Sequence, residues 1–169
     1  MRREEENVDE QHQYFFLEKD THGEVFIRTL DEVCVLPLDS EGQVLFAVEP
    51  APAFERVPAL VLPGGTVEPG EAFHQTANRE LQEELGFRAE ELTYLGEVRP
   101  WPKYLAVRTH LFLGRTLVPS KLPGDEAEPV GLRRVALNEI DALVADGQLL
   151  DARALAAIYL ARATLADNG

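Results

Sequence analysis

The sequence predicts an α/β fold in which a mixed β-sheet lies between helices. Three observations carry that expectation. Short apolar, β-branched and aromatic runs recur between turn residues over the first third of the chain. From about residue 72 to 85 the apolar residues Phe73, Ala77, Leu81 and Leu85 instead repeat every four positions, as on a helix with one buried face. Two further helical stretches close the chain, and strands interspersed with helices pack in layers around one core.

The elements follow in order. Met1 to Gln13 is charged and polar, with no apolar segment of a signal peptide or anchor, and is expected to fray. Tyr14–Leu17 and Glu24–Thr29 flank Asp20-Thr21-His22-Gly23 and read as a hairpin. Glu32–Pro37 and Gln43–Val48 give a second hairpin signal around Asp39-Ser40-Glu41-Gly42, followed by a loop from Pro50 to Pro58. Ala59–Leu62 is a short strand entering Pro63-Gly64-Gly65, a turn that permits close backbone approach. The helix of residues 72–85 ends at Gly86, where a capping glycine belongs. Strands are expected over Leu92–Val98, Ala106–Gly114 and Val130–Val135, with a proline- and acid-rich loop at Pro119–Pro129. Helices are expected over Leu137–Asp146 and Ala152–Leu165. Residues 1–30 form an N-terminal extension with a strand hairpin, and 31–169 the main domain.

Composition narrows the function. The 169 residues suit one domain with a sizeable core, and 45% hydrophobic content is ordinary for a globular chain. A net charge of -14 argues against nonspecific binding to DNA or to anionic membranes. Cys34 is the only cysteine, so no internal disulfide forms, and its apolar neighbours mark it as a buried thiol. The expected compartment is the cytoplasm.

The densest signal is the run Gly65, Glu71, Arg79-Glu80-Leu81, Glu83-Glu84 and Gly86-Phe87. Glu80, Glu83 and Glu84 are three and four residues apart, which on a helix puts like charges on one face, where they repel. Divalent cations with oxygen ligands are the natural neutralisers of such a cluster. The bland alternative is an acidic, solvated helix face.

The pattern G-x5-E-x7-R-E-U-x-E-E-x-G-U, with U an apolar residue, resembles the signature box of the Nudix hydrolases, and Gly65, Glu71, Arg79, Glu80, Leu81, Glu83, Glu84, Gly86 and Phe87 fill every position. At about 5–7% usage per named residue, a chance match in this chain is on the order of one in 10⁸. The resemblance implies an α/β/α sandwich and metal-dependent hydrolysis of a pyrophosphate bond. It implies Glu80, Glu83 and Glu84 as ligands of Mg²⁺ or Mn²⁺, joined by the Gly64 carbonyl. Gly65, Glu71 and Arg79 are then structural, with Arg79 paired to Glu71 and orienting the loop on the helix. For the general base, relatives that cleave ADP-ribose use a late loop. Glu126 is the first candidate there and Glu128 the second, and a box glutamate such as Glu83 is the alternative.

Pro102, the fifteenth residue after Phe87, resembles the branch that hydrolyses ADP-ribose and related ADP compounds. The Pro102-Lys103-Tyr104 step and Gly124-Asp125-Glu126-Ala127-Glu128-Pro129 point the same way. The implied substrates are ADP-ribose, dinucleoside polyphosphates and reduced NAD, with AMP as one product. Trp101 and Tyr104 are candidates for stacking on the base or ribose, and Arg99, Lys103 and Arg108 for pairing with phosphate. The segment Phe46 to Arg56 has few matches to that branch and is a candidate for nucleoside recognition. The resemblance also implies a homodimer built through the N-terminal strands. Two other readings stay open: a nucleoside triphosphate, nucleotide sugar or RNA cap as substrate, and an inactive ligand-sensing module on the same scaffold.

Overall fold

The elements run in the order β1 (Phe16–Lys19), β2 (Val25–Arg28), β3 (Glu32–Pro37), β4 (Gln43–Ala51), a 3₁₀ turn (Pro52–Phe54) and β5 (Val57–Val61). Then come α1 (Phe73–Glu80), a π turn (Leu81–Leu85), β6 (Phe87–Val98), β7 (Leu105–Ala106), β8 (Thr109–Pro119), β9 (Gly131–Ala136), α2 (Ile140–Ala145) and α3 (Ala152–Asp167). This is a computed structural model, and it describes residues 15–124 and 130–167.

The period of two along the strands sorts the core into two layers. Val33 and Val35 of β3, Leu45 and Ala47 of β4 and Phe112 of β8 pack with Ala77, Leu81 and Leu85. The alternate residues, Cys34 and Leu36, Val44 and Phe46, and Leu111 and Leu113, pack with α2 and α3 through Ile140, Ala154, Ala157 and Ile158. Helices therefore cover both faces of the sheet layer, as the sequence predicts. Fully buried Leu81 contributes about 1.5–3 kcal/mol of apolar burial to fixing α1 on that layer.

The strands are divided into three sheets, ordered β1-β2-β7, β3-β8-β6 and β5-β4-β9. Within the second, β3 is parallel to β8 and β6 antiparallel to it, so the sheet is mixed. The expected hairpin of β3 with β4 is corrected here. Its turn forms, with Gly42 N–H donating to the Asp39 carbonyl at 3.1 Å, but the two strands share only the isolated bridge Leu38–Val44. Both faces of β3 are buried, which suits an interior strand, and it takes β8 as its neighbour instead. The expected loop from Pro50 to Pro58 is also shorter, because β4 runs on to Ala51 and β5 begins at Val57.

The N-terminal hairpin forms as expected, and β7 extends it through Ile27–Leu105 and Arg28–Ala106. The expected uninterrupted helix of residues 72–85 changes to a π turn after Glu80. Phe73, expected in the core, is 38% exposed and stacks on the buried ring of His110 at 3.7 Å between centroids. Among the described residues no helix is long and apolar enough to cross a membrane.

Candidate functional site

The glycine loop after β5 leaves its own sheet and lies antiparallel to β3. Val35 N–H donates to the Pro63 carbonyl at 2.8 Å, Val33 N–H to the Gly65 carbonyl at 2.9 Å, and Glu32 bridges Thr66. Alternation along an extended chain turns the Gly64 N–H and C=O away from β3. The Gly64 N–H finds Glu84 Oε1 at 3.1 Å. A Cβ at Gly64 would fall 2.2 Å from the Val33 carbonyl oxygen, so only glycine permits this approach. A Cβ at Gly65 would fall 2.5 Å from Glu80 Oε1, in the space where the loop and the helix carboxylates meet.

Arg79 is the electrostatic centre. Its Nε and Nη2 donate to Glu71 at 3.1 and 3.2 Å, Nη1 donates to Glu80 at 2.8 Å and to Glu83 at 3.0 Å, and Nη2 also reaches the Thr66 carbonyl at 3.2 Å. One guanidinium thus joins the loop to three carboxylates, an arrangement a single ammonium could not match. Burial opposes the charge on Arg79, but hydrogen bonds and attraction from Glu71, Glu80 and Glu83 hold its pKa above the ordinary value. Burial also pushes Glu71 upward, yet Arg79, with the Thr76 hydroxyl at 2.8 Å, outweighs it and leaves Glu71 below the usual carboxylate range. Glu80 and Glu84 are 8% and 6% exposed. Acidic side chains are seldom so buried without partners or a metal.

The structure therefore brings together Gly64, Gly65, Glu71, Arg79, Glu80, Glu83 and Glu84. Arg79 pairs with Glu71, as expected, and in addition touches Glu80 and Glu83. The donor chemistry suits a hard divalent cation, being three carboxylates beside a half-buried loop backbone. Among the described residues, no three His, Cys, Asp or Glu side chains are already gathered into a coordination shell, and Arg79 Nη1 holds Glu80 and Glu83.

Trp101, Pro102, Lys103 and Tyr104 lie elsewhere in the fold. Trp101 and Tyr104 meet edge to face at 4.8 Å, Lys103 Nζ lies 5.0 Å from the centre of the Tyr104 ring, and the Tyr104 carbonyl accepts from Ile27 N–H. They adjoin the N-terminal sheet. Arg99 is paired with Glu97, and Arg108 lies 3.9 Å from Asp31. Arg56 follows Glu55 at the end of the β4–β5 connection, both with left-handed backbones at φ 59° and 55°. Glu126 and Glu128 lie outside the described residues.

Sequence reasoning missed two features. One is a cavity of about 630 Å³ beside β5, lined by Val48, Phe54, Leu60, Val61 and Arg133. Val61 is three residues from Gly64, so the cavity wall comes within about 11 Å of the glycine loop. The other is a strap from Ser120 to Gly124 across the π turn, where a Cβ at Gly124 would touch the Glu83 carbonyl oxygen at 3.4 Å. Neither has a local sequence signal, since each depends on contacts between distant segments.

Comparison with known proteins gives the same architecture. The NUDIX domain family matches residues 28–158. The ADP compounds hydrolase NudE of Escherichia coli (strain K12) is 36% identical over 105 residues, covering 62% of this chain and 56% of that protein. The match thus spans little more than half of the E. coli protein. The ADP-ribose pyrophosphatase of Bacillus subtilis (strain 168) is 32% identical over 128 residues, 75% of this chain and 69% of that one. A crystal structure of an ADP compounds hydrolase superposes with a TM-score of 0.79 at 28% identity, covering 97% of this chain and 92% of that chain.

Proposed function

The chain belongs to the Nudix family, and from that premise we propose that it hydrolyses the pyrophosphate bond of ADP-ribose and related ADP compounds, using Mg²⁺ or Mn²⁺. The observation that carries this reading is the arrangement about the glycine loop held against β3: Glu84 accepts from Gly64 N–H, Glu80 lies beside Gly65, and Arg79 joins Glu80 and Glu83 to the Thr66 carbonyl. The names of the relatives support the substrate class.

Glu80, Glu83, Glu84 and the Gly64 carbonyl would hold the cation, which supplies charge neutralisation on the phosphate oxygens. Glu80 and Glu83, which accept from Arg79 Nη1, would turn to the cation, and Arg79 would keep its bonds to Glu71. A water attacks one phosphorus, its proton passes to a carboxylate base, and the bridging P–O bond breaks. ADP-ribose then gives AMP and ribose 5-phosphate. Glu126 is the first choice of base, Glu128 the second and Glu83 the alternative. Arg56, Trp101, Pro102, Lys103 and Tyr104 remain the residues proposed for substrate recognition.

The reading includes a homodimer in which the N-terminal extension, residues 1–30, contributes the contact. Phe16, Leu17, Val25 and Ile27 of β1 and β2 are exposed and apolar, as a subunit contact would be. A monomer by light scattering at micromolar concentration would count against it.

The test of the chemistry is product analysis with Mg²⁺ and with Mn²⁺ on ADP-ribose, a dinucleoside polyphosphate, reduced NAD, a nucleoside triphosphate, a nucleotide sugar and capped RNA. The expected result is the highest kcat/KM on an ADP compound, with AMP released and activity lost on chelation. Preference for another anhydride overturns the substrate class. ADP-ribose binding without turnover of any compound overturns the enzyme reading.

A further inference from the structure

The turn that carries Glu83 and Glu84 is held from outside by the strap, and nothing in the chemistry above uses it. Ser120 N–H donates to the Gly86 carbonyl at 2.8 Å, and Leu122 N–H donates to the Gln82 carbonyl at 3.3 Å. Gln82 Nε2 donates to Ser120 Oγ at 2.8 Å. Lys121 Nζ donates to the Glu83 carbonyl and, at 3.4 Å, to that of Glu84. The lysine stem crosses Gly86, where a Cβ would lie 3.4 Å from Lys121 Cδ.

Two physical facts give these contacts weight. The last carbonyls of a helix have no onward intrahelical partner, and here the final turn has left α geometry. A helix C-terminus also carries partial negative charge, so Glu83 and Glu84 stand where carboxylates are disfavoured. Lys121 answers both, because it satisfies the two carbonyls and places a cation at that end. The carbonyls it holds belong to the same residues whose carboxylates meet Arg79 and Gly64 on the inner side.

We propose that Lys121 is a positioning residue of the hydrolytic site: by fixing the carbonyls of Glu83 and Glu84, it fixes the backbone from which both carboxylates reach the cation. The inference rests on the cation-binding reading above. A purely structural cap would change thermal stability and nothing else.

Lys121→Met keeps the stem over Gly86 and removes the ammonium. Mn²⁺ binding to the full chain is titrated by electron paramagnetic resonance, kcat and KM are measured on ADP-ribose with Mg²⁺, and melting is followed without metal. Mn²⁺ affinity and kcat are each expected to fall roughly tenfold, as for other residues that orient metal ligands, with KM little changed. Lys121→Arg is expected to restore most of both. Gln82→Leu cuts the Ser120 tie without removing a charge and should act in the same direction more weakly, which keeps the test open if Lys121→Met does not fold. Wild-type Mn²⁺ affinity and kcat in the folded variants, whatever the melting temperature does, overturns the inference. A wild-type chain that binds Mn²⁺ yet hydrolyses no phosphoanhydride overturns the proposed function alone, and the Mn²⁺ isotherms then decide the role of Lys121. A wild-type chain that binds no Mn²⁺ overturns both.

Discussion

Replacing Gly65 by alanine should silence the site and spare the fold, whereas replacing Gly64 should damage the fold first. The new methyl at position 65 would lie 2.5 Å from Glu80 Oε1 and 2.7 Å from its Cδ, against an ordinary contact of 3.4 Å. The carboxylate must retreat by about 0.9 Å, which a side-chain terminus can do. A retreat along the line of the 2.8 Å bond from Arg79 would stretch it beyond hydrogen-bonding range. A charge-assisted bond contributes about 1.5–3 kcal/mol, and Arg79 keeps Glu71 and Glu83, so a loss near 1–2 kcal/mol is expected. For a chain of this size that lowers Tm by roughly 2–8 °C. A displacement of about 1 Å at a ligand costs on the order of a hundredfold in kcat. At position 64 the methyl would meet the Val33 carbonyl oxygen at 2.2 Å and Cys34 Cα at 3.0 Å, both backbone atoms of a buried strand. Relief there requires parting the loop from β3 and leaving Val33 and Val35 N–H without partners, about 2–6 kcal/mol together. Melting curves without metal and steady-state kinetics on ADP-ribose with Mg²⁺ read both quantities. Wild-type kcat in Gly65→Ala, or equal loss of stability in the two variants, would refute the reasoning.

Other outcomes follow from the same geometry. Glu126→Gln is expected to lower kcat by about 10²–10⁴ without weakening Mn²⁺ binding, whereas Glu83→Gln should weaken both. If Glu126→Gln keeps full activity and Glu128→Gln loses it, the base passes to Glu128. Glu71, held below the usual carboxylate range, supports the fold fully above the unfolded-state value near 4.5. As pH falls through its lower folded-state value that support is lost, because the unfolded chain takes up the proton first. Urea midpoints of metal-free protein should therefore drop on acidification from about pH 5, and less steeply in Glu71→Gln, with parallel profiles counting against the pairing. Burial pushes the Cys34 thiol up to about 12. A disulfide reagent at pH 8 should leave it untouched in the native state and label it fully in guanidinium, and rapid native labelling would show that β3 opens.

Local order was legible where the signal lies within one element. The four-residue spacing of Ala77, Leu81 and Leu85 marked the buried face of α1 and the π turn that continues it, and Gly86 marked the end of that turn. Phe73 strays from that face for a reason in the same arithmetic. Four residues advance an α-helix about 40° beyond a full turn, so each step back from Ala77 drifts toward solvent. At the other end the wider π turn winds less per residue and keeps Leu85 on the core. The turn at Asp39–Gly42 was equally legible, with Asp39 Oδ1 accepting from Glu41 and Gln43 N–H at 2.9 Å. The strand pairing that turn suggested was not, because β3 chooses β8, whose partner residues lie 77 positions further along the sequence.

The site divides along the same line. Its carboxylates are read from spacing, but the forces that make them tolerable come from distant chain. Arg79 neutralises the inner side from within the box, yet its hold on the loop depends on the Thr66 carbonyl, and that loop is fixed by N–H groups of β3. On the outer side Lys121 stands 38 residues from Glu83 and reaches only its backbone. Three glutamates at a helix C-terminus oppose both one another and the helix dipole. A fold that brings one cation to their carboxylates and a second to their carbonyls reduces that opposition without filling every carboxylate with a permanent partner. The cluster can therefore persist in the folded chain without a bound ion, and under the proposed function Glu80 and Glu83 would leave the guanidinium for a divalent ion. A design that served stability alone would place neutral residues at Glu83 and Glu84, where the helix end favours them.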